Sequence, residues 1–165
     1  FASISNAEME QSRIVETAGG SVVLRPLCAD DRKRGIFELL AQLTQAPPLS
    51  AEAFGVILAA IDSNPNHIVV VAEDSVSPGK LLGTAAALVE QKLLRSGGRV
   101  GHIEDVVVDA SARGRSIGKL LVNFLVDFSK NRGCYKVILD CDEQNVAFYE
   151  RCGLEKKEVQ MVRYF

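Results

Sequence analysis

The sequence predicts an α/β fold: one domain in which a mixed sheet carries helices on both faces. Three observations predict it. Apolar spacing switches repeatedly between the strand period and the helix period. The resulting order, β-α-α-β-β-β-α-β-α-β, alternates the two element types as layered α/β domains do. The length, 165 residues, suits one domain whose single core buries about 70% of the unfolded chain's surface.

Each element has its own signal. Residues 21–27 set Val22, Leu24 and Pro26 against Val23, Arg25 and Leu27 and read as a strand. Asp30 and Asp31 open a helix with Ile36, Leu39, Leu40 and Leu43 on one face, and Pro47-Pro48 ends it. Ser50 is the N-cap of a second helix bearing Phe54, Ile57, Leu58 and Ile61. Residues 67–74 and 81–94 are β-rich runs across a Pro78-Gly79 turn, which predicts an antiparallel hairpin. After Gly97-Gly98 comes a strand at 102–108. From Ile117 the helical period runs through Leu120, Leu121, Phe124, Leu125 and Phe128 until Gly133 stops it. A strand at 135–139, a short helix at 145–152 and a last strand at 159–165 complete the order. Residues 1–20 are expected to form a flexible arm, and 21–165 the domain.

Composition excludes several function classes. Hydrophobic residues make up 47% and charged ones 24%, close to the globular averages of about 45–50% and about 25%. Disordered, fibrous and low-complexity chains are therefore excluded. A net charge of −2 lacks the basic surplus of a dedicated nucleic-acid binder. No apolar run approaches the roughly 18 residues of a membrane span. Cys28, Cys134, Cys141 and Cys152 form no cluster with one another or with His67 and His102, so no metal site is expected. Each cysteine is expected to be a small buried apolar residue. Residues 1–12 are acidic and polar where a signal peptide is basic and then apolar. The expected compartment is the reducing cytoplasm, with import into an organelle left open.

Chemistry concentrates where the 102–108 strand meets the long helix. There the sequence Val106-Val107-Val108 runs into Arg113-Gly114-Arg115-Ser116-Ile117-Gly118-Lys119. A helix N-terminus leaves about four N–H groups unpaired and carries roughly half a positive charge, which attracts phosphate. Gly114 and Gly118 let backbone approach a ligand, and Arg113 and Arg115 add charge. The spacing lacks both the GxxxxGK[ST] and the GxGxxG signatures. A second segment, residues 142–154, puts Asn145 and Tyr149 on one helical face at i and i+4.

These segments resemble the acetyl-CoA-dependent N-acetyltransferase (GNAT) superfamily. The turn at 113–118 is similar to its pyrophosphate loop, Arg/Gln-x-x-Gly-x-Gly/Ala, with Ser116 in place of the usual glycine; its hydroxyl can cap the helix. The segment from Asn145 and Tyr149 to Gly153-Leu154 resembles the superfamily's Asn-x-x-x-Tyr-x-x-x-Gly-Phe segment. A finer resemblance is to the eukaryotic glucosamine-6-phosphate N-acetyltransferases. It rests on Arg25-Pro26-Leu27, Gln42-Leu43-Thr44, His102-Ile103-Glu104-Asp105-Val106 and residues 134–146, and it extends from about Val22 to Phe165.

The resemblance implies a strongly twisted sheet whose two central parallel strands splay apart, Val106, Val107 and Val108 leaving residues 137–139. It implies transfer of the acetyl group of acetyl-CoA to the amine of glucosamine 6-phosphate, by direct attack in a ternary complex, as a step toward UDP-N-acetylglucosamine. Acetyl-CoA would lie on Val106, Val107, Val108, Arg113, Gly114, Arg115, Ser116, Ile117, Gly118, Lys119, Asn145 and Tyr149. Thr44, Lys92, Arg95, Glu104, Asp105, Asp140 and Arg163 would bind the sugar phosphate. Tyr149 would donate to the leaving thiolate, while Asp140 and Glu104 orient or deprotonate the amine. The resemblance also implies a bulge near Glu104-Asp105, which would bring together two side chains that a regular strand sends to opposite faces. Cys141 is expected buried in a strand, outside the chemistry. The resemblance further implies a homodimer with shared sites, in which the segment of Lys92 and Arg95 reaches the partner's sugar phosphate. Two other readings stay open at this point. One is acetylation of a different amine, a protein N-terminus or a polyamine, and Lys92 and Arg95 argue against the polyamine. The other is an acetyl-CoA-binding module without catalysis.

Overall fold

In the computed structural model, which describes residues 12–17 and 19–165, six strands form one sheet in chain order. They are β1 (Arg13–Thr17), β2 (Gly20–Pro26), β3 (His67–Asp74), β4 (Leu81–Gln91), β5 (Arg99–Val108) and β6 (Cys134–Ile138). The helices are α1 (Ile36–Leu40), α2 (Ala51–Asp62), α3 (Ile117–Asn131) and α4 (Val146–Arg151). Strands β1 to β5 pair antiparallel with their neighbours, and β5 and β6 pair parallel.

β3 and β4 lie mid-sheet with both faces covered, which is why their sequences are nearly continuous Val, Ala and Leu. Successive side chains point to opposite faces, so Val70 and Ala72 enter one core and Val71 the other. The larger core packs Ile117, Leu121, Phe124, Leu125 and Phe128 of α3 against the sheet. The smaller one packs Ile36, Phe37 and Leu39 of α1, and Phe54 and Leu58 of α2, against Val71, Leu81 and Val107. Ser50 caps α2 by accepting from the Ala53 amide at 3.1 Å. Gly133, at φ +77°, ends α3. Among the described residues no helix is long and apolar enough to cross a membrane.

Four expectations need correction. The helix expected from Asp30 starts only at Ile36, after a 3-10 turn at Ala29–Arg32 and a left-handed Gly35. The reason is electrostatic. Asp31 is fully buried and takes both terminal nitrogens of Arg25 at 2.7 Å, while Arg25 Nε donates to Glu73 at 2.7 Å. Burial pushes the Asp31 carboxyl up, but hydrogen bonds from Arg25 and from the Cys28 amide outweigh that and hold it below the usual carboxylate range. Held there, Asp31 closes the 3-10 turn by accepting from the Cys28 amide at 2.9 Å rather than opening a longer helix, and Leu43 is left exposed.

Residues Arg13–Thr17, read from sequence as part of an arm, pair with β2 from Arg13↔Leu24 to Thr17↔Gly20, and Val15 packs on the larger core. Residues 1–11 of that arm lie outside the described residues. The expected last strand at 159–165 is absent: Val159, Met161, Val162, Tyr164 and Phe165 are exposed and no ladder reaches them. Strand β6 is the sheet edge, and the tail meets its end through side chains instead, Gln160 with Asp140 and Lys156 with Glu143. Finally, Cys28, Cys134 and Cys152 are only half-buried, and Cys141 is exposed because β6 stops at Ile138.

Candidate active site

The site begins with an irregularity in β5. Thr84 of β4 faces Val107 and Ala86 faces Glu104, so Ala85 stands opposite both Asp105 and Val106. This is a bulge, and Asp105 takes φ +52° within it. Glu104 and Asp105 are consecutive yet both exposed, while Ile103 and Val107 on either side are buried. On the other edge of β5, pairing with β6 ends at His102↔Ile138. Beyond that pair the parallel strands share no ladder, and a gap opens between them.

The 113–118 turn and the start of α3 border this gap. A cavity of about 620 Å³ is lined by Val106, Val108, Arg113, Gly114, Ser116, Ile117, Gly118 and Lys119 on one side and by Asn145 and Tyr149 on the other. Gly114 has φ +80° and nothing within 4 Å of where a Cβ would sit, so its backbone is open to a ligand. Ser116 also takes a positive φ, +62°, and its hydroxyl makes no cap bond. A side chain in that conformation costs roughly 1–2 kcal/mol, which explains why glycine is usual there. The N–H groups that open α3 have no intrahelical acceptor and suit an anion. An anionic group such as a phosphate therefore fits the α3 end of the cavity.

Other loop residues serve different ends. Arg115 turns away from the cavity and lies against the β1–β2 turn, where a Cβ on Gly19 would come within 2.6 Å of its stem. Val107, expected among the cofactor-binding residues, belongs to the smaller core and does not line the cavity. Gly118 makes room for protein as well as ligand: a Cβ there would meet the Phe148 ring at 3.0 Å. Phe148, Arg151, Cys152 and Ala112 complete the lining and were not anticipated. For Phe148 the signal was available, since it lies three residues after Asn145 on the same helical face.

A second cavity, about 830 Å³, lies along β6 and the tail, and Asp140 is among its lining residues. Tyr149 stands on the wall common to both cavities. Burial, with smaller contributions from Cys141 and Cys152, pushes its phenol up to about 12. It is therefore a donor at any physiological pH. Glu104 is exposed overall, but partial desolvation of its carboxyl raises it, as do the nearby charges of Asp105 and Asp140. The three carboxylates thus form one acidic group, and the Gln160 amide donates to Asp140 at 2.8 Å.

Of the expected phosphate ligands, Lys92, Arg95 and Arg163 each meet other groups. Lys92 pairs with Glu90, which also takes His102 Nε2 at 3.0 Å. Arg95 lies in the turn between β4 and β5 with its guanidinium 4.8 Å above the Tyr135 ring. Thr44 is exposed beyond α1, and Arg163 lies in the exposed tail beside Phe165. Neither cavity is lined by any of these four.

Comparison with known proteins bears on this geometry. The model of the acetyltransferase (GNAT) family matches residues 34–154. The chain is 48% identical over 150 residues to glucosamine 6-phosphate N-acetyltransferase 1 of Oryza sativa subsp. japonica, covering 89% of each. It is 45% identical over 143 residues to the glucosamine 6-phosphate N-acetyltransferase of Arabidopsis thaliana, covering 86% of this chain and 95% of that one. The crystal structure of the Arabidopsis thaliana glucosamine-6-phosphate N-acetyltransferase superimposes with a TM-score of 0.83, over 86% of this chain and 97% of that chain. With a splayed parallel pair, a glycine-containing turn at a helix start and these relatives, the chain belongs to the acetyltransferase (GNAT) family.

Proposed function

We propose that this chain transfers the acetyl group of acetyl-CoA to the amine of D-glucosamine 6-phosphate, giving N-acetyl-D-glucosamine 6-phosphate and CoA by direct attack in a ternary complex. The observation that carries this reading is Tyr149 on the wall between the cavity of the 113–118 turn and the cavity reaching Asp140. A donor there faces the boundary between a phosphate-binding turn and an acidic group. The names and near-full coverage of the rice and Arabidopsis relatives support the choice of amine.

Gly114, Ser116, Gly118 and Lys119 hold the diphosphate of acetyl-CoA, and the unpaired edge of β5 at Val106 and Val108 receives its extended arm. The bound thioester supplies the electrophilic carbonyl. Glu104, with its raised affinity for a proton, accepts one from the sugar ammonium, and Asp140 orients the amine. As the C–N bond forms and the C–S bond breaks, the nitrogen gives its second proton to Asp140, and Tyr149 donates a hydrogen bond to the departing thiolate. Thr44, Lys92, Arg95 and Arg163 take the sugar phosphate, with Lys92 and Arg95 supplied across a homodimer.

A single chain leaves Leu93 and Leu94 exposed at the β4–β5 turn, along with Val159, Met161, Tyr164 and Phe165 in the tail. Burying that apolar surface favours association. The cytoplasm is the proposed compartment.

The test follows CoA release from acetyl-CoA with glucosamine 6-phosphate, glucosamine, spermidine and an N-terminal peptide. Fast release is expected with glucosamine 6-phosphate, and at least about tenfold lower kcat/KM with glucosamine, the worth of one charge-assisted phosphate contact. Equal or faster release with spermidine or the peptide would assign a different amine. Binding without release would leave a module that holds acetyl-CoA only.

A further inference from the structure

Gln42 stands just past α1, two residues before Thr44. Its side chain reaches 67 positions along the sequence: Nε2 donates to Asp109 Oδ2 at 2.8 Å, and Oε1 accepts from the Ala110 amide at 2.9 Å. Using both ends of the amide fixes its orientation. The other Asp109 oxygen accepts from the Ser111 amide at 2.9 Å and from the Ser111 hydroxyl, so it caps the short turn at Ala110–Ala112. The Asp109 amide in turn donates to the Leu82 carbonyl at 2.9 Å, anchoring the turn to β4. Hydrogen bonds from Ser111 and Gln42 hold the Asp109 carboxyl below the usual range, so it is ionised at neutral pH. Immediately after this turn comes Arg113. Among the described residues, no other side-chain hydrogen bond joins the 41–50 segment to the 109–118 turn.

These bonds lie at the surface. There, water replaces a lost hydrogen bond readily, so the contacts add little to global stability. What they fix is the relation between two segments: one carries Thr44, and the other opens the phosphate-binding turn. We propose that Gln42 is a positioning residue that couples the two substrate subsites, so that ordering the turn by CoA also orders the segment that meets the sugar phosphate. The proposal rests on the assignment of those two subsites given above. A ligand that orders one side covers part of the ordering cost of the other, and the coupling is reciprocal.

Calorimetry with CoA, which cannot acetylate, measures the coupling directly. Its Kd is determined with and without saturating glucosamine 6-phosphate, for the wild type, Gln42→Ala and Gln42→Glu. The glutamate lacks the donor and sets a carboxylate against Asp109. In the wild type, glucosamine 6-phosphate is expected to tighten CoA binding at least about fivefold, the lower end of ordinary coupling. Both variants should reduce the tightening to under about twofold, with Tm within about 3 °C of wild type. In steady state both KM values should rise more than kcat falls. Wild-type coupling retained in Gln42→Ala, no coupling in the wild type, or a Tm loss beyond about 6 °C would each overturn the proposal while leaving the function intact. Failure of the wild type to bind CoA at all would instead overturn the function on which it rests.

Discussion

Replacing Tyr149 with Phe separates two ways in which a phenol can assist a leaving thiolate. With its pKa pushed up to about 12 by burial, full transfer of its proton to a thiolate of ordinary pKa near 8.5 runs uphill by roughly 3.5 pK units. At about 1.36 kcal/mol per unit, that costs about 5 kcal/mol. A hydrogen bond from the neutral phenol to the charging sulfur avoids this cost and contributes roughly 1.5–3 kcal/mol. Tyr149→Phe is therefore expected to lower kcat by about 10–150-fold with KM values nearly unchanged. Loss of one oxygen from a half-buried ring should move Tm by about 3 °C or less. The assay is continuous detection of free CoA thiol at saturating substrates, from pH 7 to 10, where the wild type should show no alkaline fall belonging to this phenol. A kcat within threefold of wild type would show that the sulfur leaves without its help. A loss beyond about 10⁴-fold would exceed what one hydrogen bond supplies and would refute the donor account in favour of obligatory proton transfer.

Three further outcomes follow from the same structure. The acid limb of kcat/KM should lie above the ordinary glutamate range because the Glu104 carboxyl is raised. Asp140→Asn removes one of the charges that raise it, so the limb should move to lower pH in a pH–rate profile. Asp31→Ala leaves the Arg25 guanidinium half-satisfied in the interior, and should cost about 3–5 kcal/mol, or roughly 6–20 °C of Tm in a thermal melt. The depressed Asp31 pKa makes this contribution fully present above the unfolded value near 3.9 and lost as pH falls through the folded value, so the wild type should lose stability only in strong acid. For the dimer, co-expressed Arg95→Ala and Asp140→Ala chains should recover activity that neither homodimer has at low substrate. No recovery in verified mixed dimers would return the phosphate contacts to the same chain.

Elements with one strong period were legible from sequence, and those decided by a distant partner were not. The apolar series from Ile117 to Phe128 specified α3 because five of its members face one core. Asp30 and Asp31 read as a helix start because no local rule announces that Arg25, on another strand, will take Asp31 inward. Residues Arg13–Thr17 offered only Ile14 and Val15 as apolar signals, and their strand exists because β2 provides a ladder. Residues 159–165 show the converse: a β-rich composition without a neighbour leaves them exposed. In the site, the Gly114–Gly118 spacing and the Asn145–Tyr149 pair were visible as patterns. Arg115 was not separable from Arg113 by sequence, since its direction depends on a close approach by Gly19. Gln42 was visible only as part of a resemblance, because its partner lies 67 residues away.

One irregularity accounts for most of the site. A regular β5 would alternate Glu104 outward and Asp105 inward, burying a carboxylate in the sheet's packed face at a cost of several kcal/mol. The extra residue opposite Ala85 turns Asp105 out instead, at φ +52°, and sets two carboxylates side by side near Asp140. The same residue shifts the pleat, so Val106 and Val108 face the cavity while Val107 enters the smaller core. Bulged strands bend and twist more, which fits a ladder with β6 that ends at His102↔Ile138, just before the bulge. The gap that follows exposes unpaired β5 backbone beside the α3 N-terminus. An insertion of one residue thus joins the acidic group to the phosphate-binding turn. Deleting Asp105 should accordingly straighten β5, let its ladder with β6 run on and close the gap, weakening CoA and sugar together, whereas Asp105→Asn, which keeps the bulge, should leave CoA affinity within about threefold of wild type while weakening the sugar.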